Sequence, residues 1–167
     1  MKRGYVFLLL MLSFIACKQD GSETANGSKR VSGSAGIPVI APDTPMSKIL
    51  QSNIWMIEYY ISSTDFENGK KNRGRWFIFK PDGTFQSGYW EKKTGSGSWY
   101  LTEGGKYPVL MVDSFNDAED AAWEVQGLPD NPTEMSWVGA KDYPNYADMV
   151  KMFNMLTPPT KAQFGEK

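Results

Sequence analysis

Apolar and polar positions alternate along the chain in short runs between residues 46 and 159, and turn residues separate the runs. In the first run, 54–62, Trp55 and Tyr59 fall on one face and Glu58 falls on the other. A period of two is typical of a strand with one buried face. Six further runs share the pattern and predict strands at 73–80, 84–91, 94–101, 107–113, 121–125 and 134–139.

The connections between these runs are short and rich in turn-forming residues. Pro81-Asp82-Gly83 joins the second run to the third. Pro presets the first turn angle and Gly takes the left-handed position, so we expect a β-hairpin there. Seven or eight short strands with hairpin-length connections predict an all-β fold, an antiparallel up-and-down β-barrel.

The last part of the domain, residues 145–156, has a different period. Tyr146, Met149, Val150 and Phe153 follow the i, i+3, i+4, i+7 spacing of an amphipathic helix, and Asn145 is a plausible N-cap. We therefore predict a short C-terminal helix, which Pro158-Pro159 would end. A final strand is the alternative, although it would place a lysine among apolar residues on one face.

One face of the predicted strands is strongly aromatic and is expected to point into the barrel. This inward set is Trp55, Tyr59, Phe77, Phe79, Phe85, Trp99, Leu101, Trp123, Val125, Met135 and Trp137. Two interpretations stay open, because an eight-stranded barrel can hold one small ligand or be filled by its own side chains. The candidate ligand-lining residues are Trp55, Tyr59, Phe77, Phe79, Trp99, Trp123 and Trp137.

The composition restricts the chemistry that this barrel can perform. The chain has 167 residues, no histidine and a single cysteine, which leaves no imidazole to act as a base or metal ligand. We predict no catalytic residue, no metal site and no cofactor. The net charge of -1 argues against a nucleic-acid partner, since phosphate contacts require a basic surface.

The charged clusters are interpreted as surface features. Four strand carboxylates, which could otherwise form a glycosidase pair, are expected to face solvent: Glu58, Glu91, Glu124 and Glu134. An acidic cluster lacks the glycine and terminal Glu of an EF-hand and is interpreted as a solvated loop: Asp113, Asn116, Asp117, Glu119 and Asp120. A basic run is interpreted as strand-end charge or, alternatively, as a contact for lipid phosphates: Lys70, Lys71, Arg73 and Arg75.

The N-terminus has the pattern of a targeting segment. A short basic stretch at residues 1–3 precedes an apolar stretch at 6–16, which ends directly at Cys17. This arrangement resembles the lipobox of bacterial lipoproteins. The resemblance implies that residues 1–16 are a signal peptide and that Cys17 becomes lipidated, which would anchor the protein to a membrane of the cell envelope, the outer membrane in a Gram-negative cell.

The chain between Cys17 and the barrel reads as a flexible tether. Residues 17–45 are rich in Gly, Ser, Thr, Asn and Pro and contain no aromatic residue. The apolar stretch 37–40 could add a strand to the barrel, although Pro38 and Pro42 oppose ladder hydrogen bonds. We place the barrel domain at 46–159 and a polar tail at 160–167.

Three motifs in the domain resemble the lipocalin-like lipoprotein domains. They are Asn53-Ile54-Trp55 in the opening strand, the run WFIFKPDGTF at 76–85, and Gly97-Ser98-Trp99-Tyr100-Leu101. The resemblance implies a barrel with a cup for a small apolar molecule.

These features predict a non-enzymatic, membrane-anchored envelope lipoprotein whose barrel binds a small apolar ligand. One alternative is an adaptor with a filled barrel that contacts another envelope protein. A third is carbohydrate binding by exposed aromatic residues such as Trp90 and Tyr89.

Overall fold

The computed structural model describes residues 36–127 and 131–167. The predicted signal peptide, the lipidation site Cys17 and the tether up to residue 35 lie outside the described residues. None of the described helices is long and apolar enough to cross a membrane.

Within the described residues, eight strands follow one another. They are β1 (Ile54–Ser62), β2 (Arg75–Phe79), β3 (Thr84–Tyr89), β4 (Lys92–Thr102), β5 (Val109–Ser114), β6 (Ala121–Gly127), β7 (Glu134–Gly139) and β8 (Asp148–Met155). Each strand pairs antiparallel with the next, and β8 pairs with β1, so the sheet closes into an up-and-down barrel. This confirms the predicted fold class. The helical elements are α1 (Pro45–Leu50), α2 (Asn68–Asn72) and two short 3-10 helices, Asp117–Glu119 and Lys161–Phe164.

The predicted hairpin between β2 and β3 is present. Gly83 adopts a φ of 79°, the left-handed conformation that favours glycine, and its N–H donates to the Lys80 carbonyl at 3.1 Å. The Asp82 carboxylate accepts the Thr84 N–H at 2.9 Å, which holds the turn from the other side. The sequence of the turn therefore determines its conformation locally.

The predicted helix at 145–156 is wrong, because this segment contains β8. Val150 and Met152 are fully buried on the inner face, whereas Lys151 points outward and forms ion pairs. The spacing of the apolar residues fits a helix, but the rest of the barrel selects a strand, because a helix here would leave β1 and β7 with unpaired edges. Asn145 caps no helix, and its side chain instead exchanges two hydrogen bonds with the backbone of Ala122.

The predicted inward position of Tyr59 is also wrong. The pairing of β1 with β8 shifts between Ile57 and Tyr59, which marks a β-bulge at Glu58. Because the bulge inserts one extra residue, Tyr60 takes the inward place, and Tyr59 is turned outward with 60% of its surface exposed.

Helix α1 closes one end of the barrel, which we call the lower end; the opposite end, where β1 ends, is the upper end. The Thr44 hydroxyl accepts the Ser47 N–H at 3.3 Å and caps the helix. Leu50 is fully buried, and the Trp55 indole N–H donates to its carbonyl at 3.1 Å. Helix α1 is not among the elements predicted from the sequence, although Thr44-Pro45 is a typical helix start.

Residues 36–41 run along the outside of the barrel and form no strand. The Gly36 N–H donates to the Asp113 carboxylate at 2.8 Å, and the Ala41 N–H donates to the Pro81 carbonyl at 3.0 Å. The docking of this segment as an additional strand is therefore not observed. We call residues 36–41 the strap.

Candidate functional site

Aromatic side chains occupy the middle and lower part of the barrel interior. Six of the seven candidate lining residues meet there: Trp55, Phe77, Phe79, Trp99, Trp123 and Trp137. The ring centroids of Phe79 and Trp99 are 5.2 Å apart, and those of Phe77 and Trp137 are 5.8 Å apart. These separations are those of direct aromatic contact, so the rings pack against one another.

The upper end of the barrel interior is polar. The Arg75 guanidinium lies 3.0 Å from the Glu119 carboxylate, and the pair is largely screened from solvent. Arg75 begins β2, whereas Glu119 lies in the connection between β5 and β6 on the opposite side of the ring of strands. The ion pair therefore spans the opening. The guanidinium also lies 5.9 Å from the centre of the Phe77 ring.

Two hydroxyl groups complete this upper cluster. The Tyr60 hydroxyl donates to the Asp148 carboxylate at 2.5 Å, and burial, followed by this hydrogen bond, raises the pKa of Tyr60. Ser87 is fully buried, and its hydroxyl has no hydrogen-bond partner within the described part of the chain. A Cβ at Gly95 would lie 2.5 Å from the Ser87 oxygen and 3.2 Å from the Glu119 carboxylate, so only glycine leaves room there.

The upper cluster is not predicted from the sequence. Its members come from four strands and a loop, and no local motif connects them. The available signal was alternation, because Arg75 and Ser87 stand two residues from the inward Phe77 and Phe85.

An apolar patch lies on the outer face of β1 and β8. We define the apolar patch as Tyr59, Ile61, Met149 and Phe153, all of which are exposed. Ile61, with 56% of its surface exposed, pairs directly with Met149. The same outer face carries Lys151, which bonds Glu58 at 3.0 Å and Glu134 at 3.2 Å. Both carboxylates raise the pKa of this lysine, Glu58 more than Glu134.

A groove of about 460 Å³ lies between the strap and the outer face of β3 and β4. Asp113 lies next to it and is only 4% exposed. One of its carboxylate oxygens accepts the Gly36 N–H, and the other has no hydrogen-bond partner among the described residues. Burial raises the pKa of this carboxyl group, and the Gly36 hydrogen bond partly opposes the rise.

The remaining candidates from the sequence are dispersed. Trp90 is 4% exposed and packs against Phe164, which contradicts its proposed role as an exposed sugar-binding ring, whereas Tyr89 is partly exposed. Arg73 of the basic run pairs with Glu166. Of the acidic cluster, Glu119 pairs with Arg75 and Asp120 accepts the Ser114 N–H at 2.8 Å. The predicted clusters are thus divided among separate structural contacts.

Comparison with known proteins gives no external guide to these sites. No protein-family model matches the chain, and no curated protein sequence matches it.

Proposed function

We propose that this chain is a non-enzymatic, lipid-anchored envelope protein that acts as an adaptor. The lipid on Cys17 holds a filled barrel at the outer membrane, and the apolar patch binds another envelope protein. The observation that carries this proposal is the bulge at Glu58, which turns Tyr59 and Ile61 outward. A bulge re-aims side chains, and here it builds an apolar surface on a barrel whose interior already contains its own rings.

The make-up of the apolar patch is suited to a protein partner. A tyrosine, a phenylalanine and a methionine are residue types enriched at protein interfaces. Neighbouring exposed apolar side chains rimmed by charged ones are typical of an interaction site. Lys151 lies between Met149 and Phe153 on the same face and opposite Tyr59, and its ion pairs with Glu58 and Glu134 supply the charged groups beside the apolar ones.

Site-specific photo-cross-linking in intact cells tests the patch. A photoreactive side chain at position 61 is expected to give one discrete adduct, and Tyr59→Asp in the same chain is expected to remove it. Position 100 is the matched control, since Tyr100 is an exposed aromatic residue on β4, away from the patch. Equal cross-linking at both positions, or none at position 61, would contradict the adaptor function.

The lipid anchor has a separate test. Cys17→Ser is expected to move the protein from the membrane fraction to the soluble fraction, because acyl chains contribute about 0.8 kcal/mol per buried methylene. Ser13→Ala, in the same segment, is the control and leaves the distribution unchanged. If the Cys17→Ser protein stays in the membrane fraction, the lipoprotein assignment is lost.

Small-ligand binding is the second candidate function, and the buried Ser87 hydroxyl favours it. A ligand entering the upper cluster would supply the missing hydrogen bond. Native mass spectrometry of protein purified from the cells that produce it would show a bound mass that Ser87→Leu removes. If the protein carries no added mass beyond its lipid, small-ligand binding is contradicted.

A further inference from the structure

The groove beside the strap has the properties of a built binding site. Its volume of about 460 Å³ falls in the range of pockets that hold small molecules. The strap forms one wall, and β3 and β4 form the floor, where Thr84, Gln86 and Gly97 line the groove. Ser96 and Ser98, on the outer side of the same strand, add two short hydroxyl side chains.

The charges around the groove are unequal. Lys80 and Lys93 line it, and no acidic side chain among the described residues lines it directly. Two carboxylates border it. Asp113 pairs across the sheet with Ser98 and accepts the Gly36 N–H, and Asp82 accepts hydrogen bonds from the N–H and the hydroxyl of Thr84. A cationic rim over hydroxyl and amide groups suits an anion that also carries hydroxyl groups.

The unpartnered oxygen of Asp113 is the second observation that points to a ligand. A buried carboxylate oxygen without a donor costs free energy, and native structures rarely retain one. A hydroxyl group from a bound molecule would satisfy it. The exposed Phe115 and Ile37 stand at the same groove and offer apolar surface for the carbon skeleton of that molecule.

We propose that this groove binds a small hydroxyl-rich anion, in chemical class a sugar acid. Lys80 and Lys93 meet its carboxylate, and Asp113 accepts a hydrogen bond from one of its hydroxyls. The site lies on β3, β4 and the strap, so it is separate from both the apolar patch and the upper cluster.

Calorimetric titration of the full chain in detergent micelles tests the proposal with three probes. Glucuronate has both the charge and the hydroxyl groups, glucose lacks the charge, and acetate lacks the hydroxyl groups. We expect glucuronate to bind at least about tenfold more tightly than either, since a charge-assisted hydrogen bond contributes that much. Equal affinity for acetate and glucuronate would show that the groove does not recognise the hydroxyl groups and would contradict a sugar-acid site. Failure of glucuronate to bind would overturn the proposal.

Variants separate the groove from the rest of the surface. Lys93→Gln is expected to weaken glucuronate binding about tenfold, whereas Lys141→Gln, on the exposed β7–β8 connection, is expected to leave it unchanged. Asp113→Asn retains an oxygen for the Gly36 N–H and is expected to weaken glucuronate but not acetate. Ile61→Glu disrupts only the apolar patch and is expected to leave glucuronate binding unchanged. The adaptor function and the binding of a sugar acid in the groove are therefore tested independently. Equal effects of Lys93→Gln and Lys141→Gln would refute the assignment.

Discussion

The lower and upper halves of the barrel are built from different side chains. The alternation of inward and outward residues is regular in the lower half and is interrupted by register shifts in the upper half. In the lower half, the inward side chains keep a period of two within each strand, as Trp55 and Ile57 do on β1 and Trp99 and Leu101 do on β4. In the upper half the inward groups are polar, and both register shifts near the opening, in β1 and between Ser87 and Gly88, occur there. Regular packing closes one end, and bulges with polar pairs shape the other.

This difference separates stability from specificity. Burying large rings supplies most of the favourable free energy of folding, and it depends little on which partner each ring meets. Polar pairs such as Arg75 with Glu119 add little net stability, because taking both charges from water offsets much of their attraction. We therefore expect mutations in the lower half to lower the free energy of unfolding strongly. Mutations in the upper half should lower it less, or should raise it.

Trp99→Ala is expected to have the largest effect. The indole is almost fully buried, and its N–H donates to the Lys80 carbonyl at 3.0 Å. Truncation leaves a cavity and should lower the free energy of unfolding by about 3–5 kcal/mol, measured by urea denaturation. Tyr59→Ala, an exposed aromatic residue, is the control and should cost less than about 0.5 kcal/mol. Similar losses for both would mean that the interior is not the source of stability.

Asn145→Ala tests the upper half, where the expected loss is smaller. The side chain accepts the Ala122 N–H at 3.2 Å and donates to the Ala122 carbonyl at 2.9 Å, in a buried setting. We expect a loss of about 2 kcal/mol and faster amide exchange at Ala122. Asn131→Ala is the control, because the hydrogen bonds that Asn131 accepts from Thr133 are exposed to water, and their loss should cost less than the loss of the buried pair. If Asn145→Ala is equally silent, the turn before β8 does not depend on this contact.

The sequence predicts well the features that local chemistry decides. Seven strands and the Pro81-Asp82-Gly83 turn are found, because alternation and turn residues act within a few positions. The identity of β8 could not be predicted, since residues 148–155 are compatible with two periods and only the unpaired edges of β1 and β7 select a strand. The bulge at Glu58 is equally invisible, because it depends on register with a strand far along the chain.

Candidate sites are harder to predict because their members meet only after the barrel closes. Residue types alone suggested an aromatic interior, and the rings do converge there. The Arg75–Glu119 pair and the groove beside Asp113 each combine residues from distant strands. The strap was assigned to the tether, so its contact with Asp113 had no sequence signal.

Ser87→Ala is expected to act in the opposite direction. Its buried hydroxyl makes no hydrogen bond within the described part of the chain, so removing it should raise the free energy of unfolding by up to about 1 kcal/mol. Ser114→Ala is the matched control, because that buried hydroxyl accepts the Asn116 N–H at 3.2 Å and its loss should destabilise. Destabilisation by Ser87→Ala would reveal a bound group that hydrogen-bonds to Ser87.

The smallest expected effect is a dependence of stability on alkaline pH at the Tyr60–Asp148 pair. Burial first, and then the hydrogen bond to Asp148, raise the pKa of Tyr60 above its ordinary value of 10.0. The unfolded chain releases the phenolic proton above that value while the folded chain retains it, so stability is present below pH 10.0 and falls as the pH rises further. The wild type should exceed Tyr60→Phe by about 1 kcal/mol in urea denaturation near pH 8, and most of this gap should close by about pH 10.5. A gap that stays constant over this range would show that the Tyr60 proton is not held more tightly in the folded barrel.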